Sequence, residues 1–180
     1  MLRLFVALAL PEWVKDDLER LQAGVPGARW VEREQMHLTL RFIGEVDRGT
    51  FRDVATMLSM VDAPPFDLNL EGIDTFGSRR KTSTLWAGVS KSPPLALLKG
   101  RVDAAVAKAG LGGDDRKFAP HVTLARFRAG APPKLGLYVA ANNLFRTQTF
   151  TVDSFVLFSS ITRAEGAIYT EEAVYPLNGD

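Results

Sequence analysis

The chain is built from two related halves that repeat at an offset of 84 residues. Its only two histidines begin the matching tetrapeptides His-Leu-Thr-Leu at 37–40 and His-Val-Thr-Leu at 121–124. An alternating stretch that starts at Phe66 has its counterpart at Phe150, again 84 positions later. Because stacked repeat arrays need about three units to bury a core, two units predict two lobes that face each other. The histidine motifs are then expected on opposite sides of one cleft.

The hydrophobic pattern gives both halves the same order of elements: a strand, a proline-opened helix, the motif strand, a helix and further strands. Proline is well tolerated in the first helical turn, which suits Pro11 and Pro93 at two predicted helix starts. Thr50 is a candidate N-cap for the second helix. The predicted strands cover 2–10, 28–31, 37–46, 66–76, 84–89, 120–127, 150–160 and 167–177, and the predicted helices cover 11–23, 50–61, 93–109 and 132–142.

Composition narrows the possible chemistry. The 180 residues are 46% hydrophobic, enough for one sizeable core, so residues 1–180 are expected to form a single bilobal domain. Lys and Arg number 22 against 21 Asp and Glu, so the chain has no overall positive field that would attract nucleic acid. Any contact with nucleic acid must therefore be local. The absence of cysteine excludes disulfides, zinc-thiolate sites and thiol nucleophiles. No segment approaches the length of a membrane span, and a monomeric, cytoplasmic protein with no membrane partner is expected.

The first motif is predicted to be a strand with one polar and one apolar face. Side chains along a strand point alternately to its two sides. Strict alternation therefore predicts His37, Thr39 and Arg41 on one face, with Phe42 on the opposite, buried face beside the leucines.

The second motif follows the same rule. His121 and Thr123 are predicted to share a face, while Val122 and Leu124 are buried. Alternation puts Arg126 on the side away from the histidine. It reaches the polar face only if a twist or a β-bulge interrupts the strand.

Two imidazoles and two hydroxyls suit displacement at phosphorus. Imidazole has an unperturbed pKa of about 6.5 and can both accept and donate a proton near neutral pH. Two of them on opposite sides of a phosphorus atom supply a general base for the nucleophile and a general acid for the leaving oxygen. Thr39 and Thr123 can donate to the non-bridging oxygens, and Arg41 can add a charge-assisted contact. No spacing typical of metal ligands occurs, so neither a metal nor a cofactor is expected.

The residues around both motifs resemble those of the 2H phosphoesterases, a family with paired His-x-Thr/Ser-x motifs. Within it they resemble the RNA 2′,3′-cyclic phosphodiesterases, also called 2′-5′ RNA ligases. The resemblance covers nearly the whole chain and is carried by RLFVAL at 3–8, WV at 30–31, HLTLRFIG at 37–44, LWAGV at 85–89, FAPHVTLAR at 118–126, FSS at 158–160 and GAIY at 166–169.

This resemblance implies an α+β, bilobal, duplicated fold in which two antiparallel sheets enclose a V-shaped central cleft and helices cover the outer faces. It implies metal-independent hydrolysis of RNA 3′ ends that bear a 2′,3′-cyclic phosphate, or of small cyclic nucleotides, to 2′-phosphomonoesters. By the same resemblance His37 donates a proton to O3′, His121 accepts one from water, and Thr39 and Thr123 bind the phosphate. Arg126 matches the family pattern as a further phosphate ligand.

Several alternatives stay open on the sequence. The pseudo-symmetry makes the acid and base roles exchangeable. Ligation to a 2′-5′ bond would be the reverse reaction with a 5′-hydroxyl as nucleophile, and the higher concentration of water favours hydrolysis. The same residues would serve a sister activity on ADP-ribose cyclic phosphate or 2′-5′ oligoadenylate. A non-catalytic nucleotide- or RNA-binding module is the alternative from a different class.

Aromatic and basic residues outside the motifs have two interpretations each. Trp30, Trp86 and Tyr169 can stack on an RNA base or belong to the core. The Arg-Arg-Lys run at 79–81 can contact an RNA backbone or form a solvated turn.

Overall fold

The computed structural model describes residues 1–78 and 81–179, which contain ten strands and four α-helices. The elements are β1 (Leu2–Ala9), α1 (Glu12–Arg20), β2 (Arg29–Trp30), a 3₁₀ turn (Arg33–Gln35), β3 (His37–Val46), α2 (Arg48–Leu58), β4 (Phe66–Leu68), β5 (Leu70–Phe76), β6 (Thr84–Val89), α3 (Pro93–Lys108), β7 (His121–Arg126), α4 (Leu135–Asn142), β8 (Phe150–Val152), β9 (Ser154–Arg163) and β10 (Gly166–Pro176). Their order agrees with the order predicted in both halves.

The strands form two four-stranded antiparallel sheets and one two-stranded pair. We call the sheet ordered β10-β9-β1-β3 the first sheet, and the sheet ordered β2-β7-β6-β5 the second sheet. β9 belongs to the second half of the chain but pairs with β1. Conversely, β5 belongs to the first half but pairs with β6. With β10 beside β9 and β2 beside β7, each sheet contains two strands from each half, and the two lobes are interlocked.

The short β4–β8 pair marks the place where the two halves meet symmetrically. Its register joins Phe66 to Val152, Asp67 to Thr151 and Leu68 to Phe150. Asp67 and Thr151 are themselves equivalent positions, 84 residues apart, and the Thr151 hydroxyl lies 2.9 Å from the Asp67 carboxylate. A surface in which equivalent residues face each other is what a two-fold relation produces. The register of this pair is thus the one expected if a two-fold axis relates the two halves.

Two predicted strands are each divided in the structure. The stretch at 66–76 breaks at Asn69, and the stretch at 150–160 breaks at Asp153. These positions are equivalent in the two halves. At each break the chain leaves the central β4–β8 pair and enters one of the two sheets, so the backbone groups change partners there. The backbone oxygen of Asn69 accepts a hydrogen bond from the backbone N–H of Ser90. The backbone oxygen of Asp153 accepts one from the backbone N–H of Leu177.

The helices and both sheets share one hydrophobic cluster. α3 buries Leu98 and Val102 and packs against β3. The N-cap of α2 is Asp47, which corrects the prediction of Thr50: the carboxylate accepts from the backbone N–H of Thr50 at 2.7 Å. No helix within the described ranges combines the length and the apolar character needed to cross a bilayer.

Candidate active site

The two motif strands meet at one cavity. β3 and β7 lie in contact, and both motifs line a single cavity of about 190 Å³. We call this space the histidine cavity. It brings together the four motif side chains that the sequence predicted from opposite halves: His37, Thr39, His121 and Thr123.

Each histidine ring is held by a backbone carbonyl two residues earlier in the chain. Nδ1 of His37 lies 2.7 Å from the oxygen of Gln35, and Nδ1 of His121 lies 2.7 Å from the oxygen of Ala119. Since a carbonyl oxygen only accepts, Nδ1 is the donor in both rings. Nε2 then carries the lone pair of the neutral imidazole, and it is the atom left to exchange protons. The two rings are therefore prepared in the same tautomer.

Aromatic rings surround His37 and leave its side chain half-buried. Its ring centroid lies 4.9 Å from that of Phe5 and 5.3 Å from that of Tyr169. Burial lowers the pKa of His37 from 6.5 to about 4; the hydrogen bond to Gln35 opposes this shift, and the positive charge of Arg126 adds to it. In the free protein, His37 is therefore uncharged at neutral pH.

His121 has a similar but more open environment. Its ring lies edge-on to Phe76 at 4.8 Å and 5.8 Å from Trp86. Burial lowers the pKa of His121 as well, opposed by the hydrogen bond to Ala119 and reinforced by Arg126. A bound phosphate would raise both histidine pKa values, because a nearby negative charge favours the imidazolium form.

A β-bulge in β3 reverses the predicted faces of two residues. Adjacent residues of β1 pair with Thr39 and Arg41, so Leu40 is the extra residue of the bulge. The alternation shifts by one position after it. Arg41, predicted on the cavity face, is only 6% exposed and points away from the cavity. Phe42, predicted to be buried, is 57% exposed and lines the histidine cavity.

Arg41 belongs to a buried charge network instead of the site. Its guanidinium donates to the carboxylate of Asp103 on α3 at 3.1 Å and to the backbone oxygen of Gly112. Lys99 donates to Asp103 at 3.0 Å and to Asp114 at 3.1 Å. The phosphate-binding role predicted for Arg41 does not fit this position.

A matching bulge in β7 brings Arg126 to the site. Adjacent residues of β6 pair with Thr123 and Ala125, so Leu124 is the extra residue. Arg126 therefore moves to the face of His121 and Thr123, and it lines the histidine cavity. This is the geometry that the sequence required for Arg126 to approach a phosphate.

The aromatic residues named from the sequence lie in different places. Tyr169 lines the histidine cavity. Trp86 packs against His121, and its indole nitrogen is buried without a hydrogen-bond partner among the described residues. Trp30 lines a neighbouring groove. In the basic loop at 79–81, the first two residues lie outside the described residues.

The sequence did not single out four phenylalanines that shape the site. Phe5 and Phe158 are register partners that stack at 5.1 Å on the cavity side of the first sheet. Phe42 and Phe76 line the cavity itself. The run at 2–10 is almost continuously apolar, so it has no alternation from which the cavity face of Phe5 could be predicted.

The cavity offers proton exchange and anion binding. It contains two imidazoles, the hydroxyls of the two motif threonines and one guanidinium, that of Arg126. Hydroxyl and guanidinium donors stabilise negative charge that develops on phosphate oxygens. Among the described residues, no three histidine or carboxylate side chains are grouped closely enough to hold a metal ion.

Comparison with known proteins agrees with this geometry. The model of the family described as LigT like phosphoesterase matches residues 8–86 and 88–169, one stretch in each half. The chain belongs to the LigT-like phosphoesterase family. The membership in the 2H phosphoesterases predicted from the motif residues is thereby confirmed.

Several curated relatives are named RNA 2′,3′-cyclic phosphodiesterase. The Archaeoglobus fulgidus protein is 30% identical over 97% of this chain and 99% of its own length. The Thermotoga maritima protein is 30% identical over 93% of this chain and 91% of its own length. The Geobacillus stearothermophilus protein is 34% identical over 72% of this chain, and the match spans only 43% of that longer relative.

Solved structures share the fold of this chain. The Thermus thermophilus protein TT0787 is 27% identical with a TM-score of 0.81, covering 99% of both chains. Escherichia coli LigT complexed with 3′-AMP is 25% identical with a TM-score of 0.79, covering 98% of both chains. The α+β fold with duplicated antiparallel sheets is therefore confirmed.

Proposed function

We propose that the protein hydrolyses RNA ends bearing a 2′,3′-cyclic phosphate to 2′-phosphomonoesters. The observation that carries the proposal is the convergence of both His-x-Thr pairs on one cavity, with each Nδ1 anchored and each Nε2 left for the substrate. The names of the curated relatives and the 3′-AMP bound by Escherichia coli LigT support a nucleotide phosphate as the substrate group.

The reaction is an in-line displacement. One imidazole takes a proton from water as its oxygen bonds to phosphorus, the P–O3′ bond breaks, and the other imidazole gives its proton to O3′. Thr39, Thr123 and Arg126 hold the non-bridging oxygens and stabilise the charge of the transition state. After one turnover the two histidines have exchanged protonation states, and solvent resets them.

The family resemblance assigns His37 as the proton donor and His121 as the acceptor. In the free protein, burial works against that assignment, because the low pKa of His37 leaves it unprotonated at neutral pH. His37 can donate only if the negative charge of the cyclic phosphate raises its pKa on binding. The opposite assignment needs an upward shift at His121, whose pKa is also lowered by burial. The pH–rate profiles of the two single-histidine variants therefore separate the two assignments.

The test uses an oligoribonucleotide with a defined 2′,3′-cyclic phosphate end in the presence of excess EDTA. The expected product is the 2′-phosphate, identified by chromatography against 2′- and 3′-phosphate standards. A 3′-phosphate product, or loss of turnover with the chelator, would contradict the proposal. Tight binding without product under single-turnover conditions would show a binding module instead.

The finer expectations remain predictions attached to this function. Faster turnover of ADP-ribose cyclic phosphate or 2′-5′ oligoadenylate in the same assay would reassign the substrate while keeping the same residues. Reverse ligation is expected to be minor, because water outcompetes a 5′-hydroxyl. The monomeric state and the cytoplasmic location also stay predictions.

A further inference from the structure

A larger groove continues from the histidine cavity. It has a volume of about 840 Å³, and the residues that line both spaces are Val31, Gln35, Phe42, Arg126 and Tyr169. The histidine cavity, at about 190 Å³, is smaller than the roughly 300–1,000 Å³ of sites that enclose a drug-sized ligand. It suits a phosphate and part of a ribose. The groove is the space into which the rest of a nucleic acid substrate extends.

Positive charge dominates this groove, which we call the arginine groove. Its charged lining residues are Arg3, Arg29, Arg116 and Arg126, against Glu32 and Glu165. Arg116 lies 3.6 Å from the carboxylate of Asp114. Within residues 1–78 and 81–179, the other three arginines form no salt bridge. Arginines therefore outnumber glutamates by four to two along the described lining of this groove, in a protein whose net charge is only +1.

Two of these arginines are cross-strand partners. Arg29 of β2 pairs in register with Arg126 of β7, and both side chains are exposed. Like charges directly opposite on neighbouring strands are destabilising. An anion between them removes that cost, and phosphate accepts charge-assisted hydrogen bonds from arginine. Arg3 lies on the first sheet, so guanidiniums line the groove from both lobes.

Aromatic side chains accompany the charges. Phe42 is 57% exposed, and Tyr169 and Trp30 are half-buried in the wall of the groove. Aromatic rings bind nucleic acid by stacking on bases whose faces are free, as in a single strand. Charged groups that alternate with stacking surfaces are typical of single-strand binding and not of duplex binding.

Resting on the proposed function, we propose that the arginine groove binds the single-stranded RNA that lies 5′ of the cyclic phosphate. Arg3 and Arg29 contact its phosphodiester groups. These two arginines touch the substrate away from the reacting atoms, so they determine which substrates are favoured without taking part in bond breaking. A cyclic mononucleotide lacks the phosphodiester that they bind.

The first experiment compares a 2′,3′-cyclic mononucleotide with a six-residue single-stranded RNA that has the same terminal nucleotide and a 2′,3′-cyclic phosphate. The wild-type kcat/KM is expected to favour the oligonucleotide by about 10-fold or more, the ratio that one added charge-assisted contact provides. Arg29→Gln and Arg3→Gln should raise KM for the oligonucleotide alone and leave kcat unchanged. Arg52→Gln, on an exposed position of α2 away from both spaces, is the matched control.

The second experiment measures binding without catalysis, by fluorescence anisotropy of a labelled single-stranded RNA that ends in a 2′-phosphate. Loss of one phosphate contact in Arg29→Gln should reduce the slope of log affinity against log salt by about 0.7. Equal affinity for a duplex, or unchanged affinity in both variants, would overturn the groove assignment even if cyclic phosphates are hydrolysed. Conversely, binding that depends on Arg29 in a protein that hydrolyses no cyclic phosphate would uphold the groove and refute the proposed function.

Discussion

The two halves of the molecule place the same backbone deformation at the same point of their motif strands, yet present different chemistry there. In the first half, the bulge at Leu40 directs the side chain of Phe42 toward the histidine cavity. In the second half, the bulge at Leu124 turns Arg126 into it. Duplication therefore supplied a symmetric frame, and single residues made it asymmetric. One wall suits the apolar faces of a nucleoside, and the other suits a phosphate.

The buried positions next to the bulges differ in the same way. Arg41 is held in the core by Asp103 and by the carbonyl of Gly112, whereas its equivalent, Ala125, is a small buried side chain. Each half thus has one arginine near its motif. In the first half the arginine stabilises the fold, and in the second half it faces the site.

The largest effect is expected from replacing the two histidines, which tests whether both halves are needed for catalysis. His37→Asn and His121→Asn should each lower kcat on a cyclic-phosphate RNA by about 10²- to 10⁴-fold, because each removes one proton-exchanging group. The double variant should fall little further, since groups that act as a unit are not additive. Single-turnover rates measure this, with thermal melting as the check on folding. Near-wild-type rates in either single variant would mean that only one half does chemistry.

A pair of arginine substitutions tests the contrast between the halves. Arg126→Gln should lower kcat/KM by about 100-fold, as the loss of a transition-state donor does, and change the free energy of unfolding by less than about 0.5 kcal/mol. Arg41→Met should instead lower the free energy of unfolding and leave kcat/KM of the folded protein unchanged. It removes one partner of a part-buried charge network in which Asp103 keeps its contact with Lys99. The loss of the Arg41 hydrogen bonds should cost about 2 kcal/mol in stability.

Urea unfolding curves and specific activities of both variants provide the measurement. If Arg41→Met were inactive while fully folded, the assignment of this arginine to a structural role would be wrong. If Arg126→Gln unfolded instead of losing activity, the contrast between the two halves would disappear.

The smallest effect concerns the unequal burial of the two histidines. The pKa of His37 is about 4 in the folded protein, so between that value and the ordinary 6.5 the unfolded chain binds a proton that the folded protein does not. The free energy of unfolding should therefore be independent of His37 titration above about pH 6.5. It should fall by about 2 kcal/mol from pH 7 to pH 5. His121 adds a contribution of the same sign.

Urea unfolding at pH 7 and pH 5 measures this loss, and His37→Asn should remove most of it. An NMR titration adds a direct comparison, in which His37 should titrate at lower pH than His121. A wild-type stability that is flat over this range would show that His37 is not buried in the neutral form.

The features that follow from periodicity and repetition could be predicted from the sequence. The strands at 37–46 and 84–89 have the predicted bounds, because alternation and β-branched residues leave little ambiguity there. The convergence of His37 and His121 on one cavity was predicted from the 84-residue offset together with the expectation that the two lobes face each other. The breaks at Asn69 and Asp153 were not predicted, because they mark exchanges of hydrogen-bond partners between sheets and not changes in local propensity.

The two bulges explain why the arginines were harder to place. A bulge adds one residue to a strand without any obligatory sequence signal, and the side chains after it change face. In β3 this holds until a second register shift at Ile43 restores the original alternation. Strict alternation therefore put Arg41 in the site and Phe42 in the core, the reverse of the observed arrangement. The repeat itself is informative here: a bulge at Leu40 implies one at Leu124, and with it the position of Arg126.

The strand exchange between the lobes sets an order of assembly for the nascent chain. β1 lies between β3 and β9, so the first sheet stays open on one side until residues 154–163 have left the ribosome. Contacts between such distant residues form late, because the entropy of closing the intervening loop must be overcome first. Until then the hydrogen-bonding groups along one side of β1 remain without partners, a surface that other strands can bind. Premature termination before β9 should therefore yield insoluble protein, not a working half.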